Sequence, residues 1–236
     1  MQKGKMTWNP YKISPLHKKH EELKATYGII RGWKMPLTYT EDREDLQKNL
    51  PMIFDISYLK KINLKGKDLK KKLTEKIKTL DYKIGSVVQI KNENSEYIIC
   101  CLTNEEAMII FPEQHEKQIY KEINVLKSET ECIHFTDVTS GLGGICIVGS
   151  EYKNILPKLT ELNLNENTFL NLNCSQAPLA KTKTLFLRKD IDKPAIQIFF
   201  NREVSDYLWD QIIEASMSEK LTPIGLESAK MIGWRW

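Results

Sequence analysis

The sequence lacks the short patterns by which many enzymes and metal proteins declare themselves. It contains no CxxC, no HExxH, no GxSxG, no GxxxxGK[ST] and no GxGxxG opening a helix. Without them no sequence argument supports a zinc site, a serine hydrolase or a phosphate-cradling loop. Long apolar runs are missing as well, and none approaches the ~20 residues that span a bilayer. No signal peptide opens the chain, and the five cysteines (Cys100, Cys101, Cys132, Cys146 and Cys174) show no framework spacing. Four of them lie in or beside apolar runs, where a free thiol behaves as a small hydrophobe. The expectation is a soluble cytoplasmic protein with no membrane partner and no metal.

An excess of either charge is also absent, since Lys+Arg 35 against Asp+Glu 31 leaves only +4. Lysines do crowd "KKINLKGKDLKKKLTEKIK", but Leu69, Leu73, Ile77 and Leu80 recur there at helical spacing and no aromatic interrupts the lysines. That pattern predicts a helix over 67–80 with a solvated basic face, and no nucleic-acid partner.

What is present is a chain of 236 residues, 41% hydrophobic, long enough for one large domain or two small ones around a real core. Residues 1–13 read as an arm that Trp8 and Tyr11 are placed to dock. Ser14-Pro15 reads as an N-cap and first-turn proline, opening a helix that ends at Gly28. His17 and His20 sit three apart on it, without a third ligand, and read as surface histidines. "REDLQKNLP" is a short charged helix stopped by Pro51, and "MIFDISYLKKINLKG" is a strand pair or one bent strand.

"GSVVQIKNENSEYIICCLT" is a hairpin turning at 92–95, and 105–127 reads as a helix broken near Pro112. A strand at 132–135 follows, then glycines at 140–144 as a tight turn, the strand "GICIVG" and a helix opening at Ser150-Glu151. Asp137, between Thr136 and Thr139, suits an Asx-type turn or a buried acid. "KTKTLFLRKDIDKPAIQIFFN" is a second hairpin, turning at 190–193, and "REVSDYLWDQIIEASMS" is an amphipathic helix. Strand–helix–hairpin–helix thus occurs twice. It predicts an α+β fold of two split βαβ-type units, about 50–130 and 131–220, with antiparallel sheets covered by helices.

One ordered series of unusual residues goes further. "SPLHKKHEELKATYGIIRGWKMPLTY", then "FDIS", then "INLKGKD" resembles the start of the folate-binding aminomethyltransferase family, which includes the glycine cleavage T-protein. Gly32, Trp33, Met35, Pro36, Tyr39, Phe54, Asp55, Ile56 and Ser57 match that family's GGW-x-MP-x-x-Y and FD-[VI]-S segments. The second half, from "FTDVTSGLGG" through "SQAPLAKTKTLFLRKD" to "SDYLWDQIIEAS", resembles most the gamma subunit of heterotetrameric sarcosine oxidases. Together they cover about 14–236. The KGCY-x-GQE motif of the tRNA-modifying relatives is absent.

The resemblance implies the T-protein-like folate-binding fold over 14–236, without the family's C-terminal barrel, and tetrahydrofolate as the ligand. It implies an apolar cleft lined by Leu59, Tyr97 and Ile99. Three polar positions depart from the family together. Ile84, Gly85 and Ser86 stand around the acidic GGI-x-DD positions, and a serine does not replace a carboxylate base. Cys101 stands at an asparagine position. Lys193 falls near the acid of the TGYTGE hairpin, with Gln197 where FEI has its glutamate, and a lysine accepts no hydrogen bond. The implied function is a T-protein-like role in tetrahydrofolate-linked one-carbon metabolism with no catalytic acid assigned. The alternative is a non-catalytic gamma-type subunit beside flavoprotein partners, with Trp234 and Trp236 as docking anchors or as part of this chain's own core.

Overall fold

The computed structural model describes residues 10–40, 50–77, 80–93, 95–128 and 133–236. The charged helix expected at 43–50, the docking of Trp8, and Cys132 lie outside the described residues.

The two hairpins form where β-rich runs flank a polar turn. β6 (Val87–Lys91) pairs antiparallel with β7 (Glu96–Cys101), and β12 (Thr182–Arg188) pairs antiparallel with β13 (Ala195–Asn201). β7 continues to β8 (Glu106–Phe111), β8 to β5 (Lys60–Gly66), and β5 to β9 (Ile133–Asp137), completing a five-stranded sheet. The six-stranded sheet runs β11 (Cys174–Leu179), β12, β13, β10 (Leu142–Val148), β4 (Met52–Asp55), β14 (Thr222–Pro223). Strands therefore cross between the sequence halves: β4 joins the later sheet and β9 the earlier one.

The central strands of both large sheets are buried on both faces, and exposed positions concentrate on the edge strands β6, β9 and β11. One core joins them, and contains Phe54, Ile56, Leu59, Val87, Ile98, Cys100, Met108, Leu185, Leu187 and Phe199. A second lies between the six-stranded sheet and the helix Ser205–Ala215. A third lies between the five-stranded sheet and the helices Leu69–Lys76 and Glu116–Ser128. Among the described residues the architecture is α+β, the two large sheets antiparallel but for the β4–β14 pair and lying under helices, with no closed barrel.

Three local expectations are corrected. The N-terminal helix spans only His17–Glu22; Lys24 turns left-handed, and Thr26–Ile30 becomes strand β2. β2 pairs with β3 (Trp33–Thr38) through Arg31-Gly32, both at positive φ (52° and 75°), as in a two-residue primed hairpin turn. The Gly-Trp-Met-Pro-Tyr stretch is thus a hairpin, and β1 (Lys12–Ile13) adds to its other edge.

The helix expected over 105–127 begins only at Glu116, after a 3₁₀ turn, because Glu106–Phe111 is a strand. "AMIIF" is buried on both faces there, so it carries no period that separates strand from helix. Gly143 and Gly144 lie within β10, where a Cβ would stand 2.5 Å from the ring of Phe200 and 2.9 Å from that of Phe199. Close approach of rings, not turn conformation, accounts for these two glycines.

Candidate functional site

Along β13, alternate side chains enter different cores. Ile196, Ile198 and Phe200 face the helical side, whereas Ala195 and Phe199 belong to the core between the sheets. Gln197 lies in phase with the latter pair. It is 0% exposed, and neither its Nε2 nor its Oε1 has a hydrogen-bond partner. An amide left this way costs about 1–3 kcal/mol relative to a satisfied one. A position serving packing alone would favour leucine.

A cleft of about 500 Å³ opens beside it, with Met108, Leu185 and Phe199 as apolar lining and Gln176 and Lys183 among its polar residues. Leu185 pairs with Phe199 and Leu187 with Gln197, so the orphaned amide sits one rung beyond the cleft. Phe199 also covers Gly144. The glycine pair and the aromatic pair "FF" were the sequence signals for this surface, legible only once β10 and β13 are paired.

Of the residues singled out in the sequence, Leu59 and Gln197 lie on the central side. Tyr97, Ile99 and Cys101 do not; all three sit in the core beneath the helices, with Tyr97 Oη donating to Glu122 Oε2 at 2.9 Å. From β7 it is Ile98 and Cys100 that face Leu59. A one-residue shift of phase exchanges the two faces of a strand. Burial pushes the Cys101 thiol up to about 11, as suits an inert core cysteine. Lys193 belongs to the turn after β12, where its carbonyl accepts from Ile191 N at 3.0 Å. Ser86 Oγ donates to Lys83 O at 2.6 Å, so it closes a local turn.

Two buried ionic features flank the central core. His20, expected at the surface, is 0% exposed, with Nε2 2.8 Å from Asp55 Oδ2 and Nδ1 2.8 Å from Tyr39 Oη. Ser14 Oγ donates to the same Asp55 oxygen, and Ser57 N donates to Oδ1 at 2.7 Å. Burial alone would raise the Asp55 pKa. The His20 hydrogen bond and charge, with the Ser14 and Ser57 donors, outweigh it and hold the carboxyl below its ordinary value. Nearby, Lys61 is 0% exposed and donates from Nζ to Ser57 O and Leu59 O, both at 2.8 Å, and burial lowers its pKa to about 7. Sequence reading did not single out Lys61. Asp137 accepts from Thr139 N at 2.9 Å, the turn role its neighbours suggested, and from Lys60 Nζ at 2.9 Å.

Of the two readings of the last tryptophans, the structure bears out the second. Trp234 and Trp236 are buried in this chain's own core, with Trp234 Nε1 donating to Tyr58 Oη at 2.9 Å and Trp236 Nε1 to Glu96 Oε1 at 3.1 Å. Among the described residues, no helix is long and apolar enough to cross a membrane. No group of three or more His, Cys, Asp and Glu among them is arranged to hold a metal ion.

Comparison with known proteins agrees with this architecture. An aminomethyltransferase of Alkaliphilus metalliredigens (strain QYMF) is 23% identical over 233 residues, covering 91% of this chain and 61% of that protein. The glycine cleavage system aminomethyltransferase T of Bartonella henselae superposes with a TM-score of 0.75 at 19% identity, over 94% of this chain and 61% of that one. A chain of the heterotetrameric sarcosine oxidase of Corynebacterium sp. U-96 superposes at 0.62 and 12% identity, over 87% of this chain and 94% of its own length. The chain thus spans about 61% of the aminomethyltransferases it matches. Residues 16–232 match the GCVT N-terminal domain, and the chain belongs to that family.

Proposed function

We propose that this chain is a cytoplasmic folate-binding protein of tetrahydrofolate-linked one-carbon metabolism, and that Gln197 recognises the ring of the folate. The unpartnered Gln197 amide beside an apolar cleft carries this reading. An amide offers one donor and one acceptor side by side, which suits a heteroaromatic edge presenting both. Leu185 and Phe199 line the cleft and supply the apolar surroundings a flat ring needs, and Leu59 lies behind them in the same core. The residues present therefore fit the ligand's recognition. They do not supply a base at the segment resembling the family's acidic one, because Ser86 is engaged with Lys83. Holding and orienting the folate is the role these side chains support.

Calorimetric titration of the purified chain with tetrahydrofolate tests it, alongside a folate-competent T-protein as control. Micromolar binding that Gln197→Leu abolishes is the expected result. No binding by the wild type overturns the proposal.

A second reading rests on one observation. The sarcosine oxidase chain is matched over 94% of its length, against 61% for the aminomethyltransferase structure. It makes this protein a gamma-type subunit that holds folate, or only structure, beside flavoprotein chains. Copurification of a stoichiometric flavoprotein, identified by flavin absorbance and mass spectrometry, would support it; a monodisperse colourless monomer from the native source would not.

A further inference from the structure

We infer that the pocket walled by Arg31, Tyr58, Trp234 and Trp236 is a binding site for a small aromatic carboxylate. None of its lining residues lines the cleft beside Gln197. It is a separate site with its own chemistry.

The Arg31-Gly32 turn, left-handed at both residues, carries the Arg31 guanidinium to 5.9 Å from the centre of the Tyr58 ring. Nη2 donates to the side chain of Gln114, tying the hairpin to the five-stranded half. Nη1 is buried and has no partner. A cavity of about 260 Å³ is lined by this side chain, with Leu226 as an apolar wall and Lys230 as a second cation. No aspartate or glutamate lines it. The guanidinium and a neighbouring ammonium, two cations against the one carboxylate that Trp236 carries at the end of the 236-residue chain, favour an anion. The planar fork of arginine matches a carboxylate best.

The aromatic walls are fixed before any ligand arrives. Tyr58 Oη accepts from Trp234 Nε1 at 2.9 Å and donates to Trp236 O at 2.5 Å, which leaves the phenol no donor for a ligand. The two indoles stand 6.5 Å apart at 64°. Lys189 Nζ sits 4.3 Å from the Trp236 ring centre and adds a further hold on that indole. Walls held this way present ring faces and edges at little entropic cost. The volume lies below the range of roughly 300–1,000 Å³ typical of drug-sized ligands, so one ring with its carboxylate is the size that fits.

Titration of the 236-residue chain with benzoate, followed by calorimetry and by tryptophan emission, tests the site. The expected result is saturable binding with a change in emission, about tenfold or more weaker for neutral benzamide and for Arg31→Gln. Arg31→Lys, which keeps the charge and loses the fork, should fall with Arg31→Gln. Gln197→Leu should leave benzoate binding unchanged, so failure of the folate reading and failure of this one are distinguishable. If Arg31→Gln does not fold, the benzoate-against-benzamide ratio in the wild type decides alone. Absence of saturation by about 10 mM benzoate, equal affinity for benzamide, or unaltered binding by folded Arg31→Gln overturns the inference.

Discussion

His20 and Asp55, 35 positions apart in the chain, meet at 2.8 Å with both side chains out of water. The contact fixes the short N-terminal helix against the end of β4, and Ser14 and Ser57 complete the carboxylate's donors. Removing one member of such a group leaves the other buried without compensation. Asp55→Asn is expected to cost about 3–5 kcal/mol, read as a lowered urea midpoint at neutral pH. The pH dependence has a definite sign. Asp55 has a folded pKa below its ordinary 3.8, so its contribution is complete above 3.8 and lost as pH falls through the folded value. Wild type and Asp55→Asn should therefore converge in stability at acid pH, and parallel curves would count against the ion pair.

Lys61 gives the opposite dependence. Its folded pKa of about 7 lies under the ordinary 10.5, because burial outweighs the attraction of Asp55 and Asp137. Between those two values the unfolded chain binds the extra proton, so stability contributed at this site rises with pH. Lys61→Met removes that slope and leaves the carbonyls of Ser57 and Leu59 without their donor, a loss independent of pH. The stability difference between wild type and Lys61→Met should move in favour of the wild type from pH 7 to pH 10. Denaturant melts across that range check it, and a constant difference would show that Lys61 keeps its proton in the fold.

Gln197 separates stability from recognition. Leucine at this position removes two unsatisfied polar atoms at nearly equal volume, so Gln197→Leu should be neutral to about 2 kcal/mol more stable. The same change removes the one donor–acceptor pair proposed to meet the folate ring. A gain in melting temperature with a loss of tetrahydrofolate binding is the expected pair of results. A destabilised variant would mean that the amide has a partner in solution.

How much of this was legible depends on whether a segment has a dry face and a wet face. The hairpins β6–β7 and β12–β13 were readable because polar turns divide them, and the helix Ser205–Ala215 because only one side is apolar. β7 and β8 sandwich between two cores, so "YIICC" and "AMIIF" show no alternation; the phase could be read from neither, and "AMIIF", with no polar turn beside it, could not be told from helix. The same double burial hid the orientation of Tyr97, Ile99 and Cys101. The Gly-Trp-Met-Pro-Tyr stretch carried its family resemblance plainly, but its hairpin rests on positive φ at Arg31, a residue that does not advertise it. His20 looked like a surface histidine because its partner lies in another element. A long-range pairing of this kind has no local signal.

The phase of β7 supplies the last test. Tyr97 reaches Glu122 beneath the helix Glu116–Ser128, whereas Leu59 belongs to the core shared with Phe199. Tyr97→Phe loses one hydrogen bond to a charged group, worth about 1.5–3 kcal/mol, and should leave tetrahydrofolate titration unchanged. Leu59→Ala removes core volume at a cost of about 2–5 kcal/mol, and should weaken tetrahydrofolate binding even where the variant is fully folded. The two substitutions thus distinguish a cleft on the inter-sheet side from one beneath the helices. Binding that follows Tyr97 and ignores Leu59 would move the ligand to the opposite face of the five-stranded sheet, and would detach Gln197 from recognition altogether.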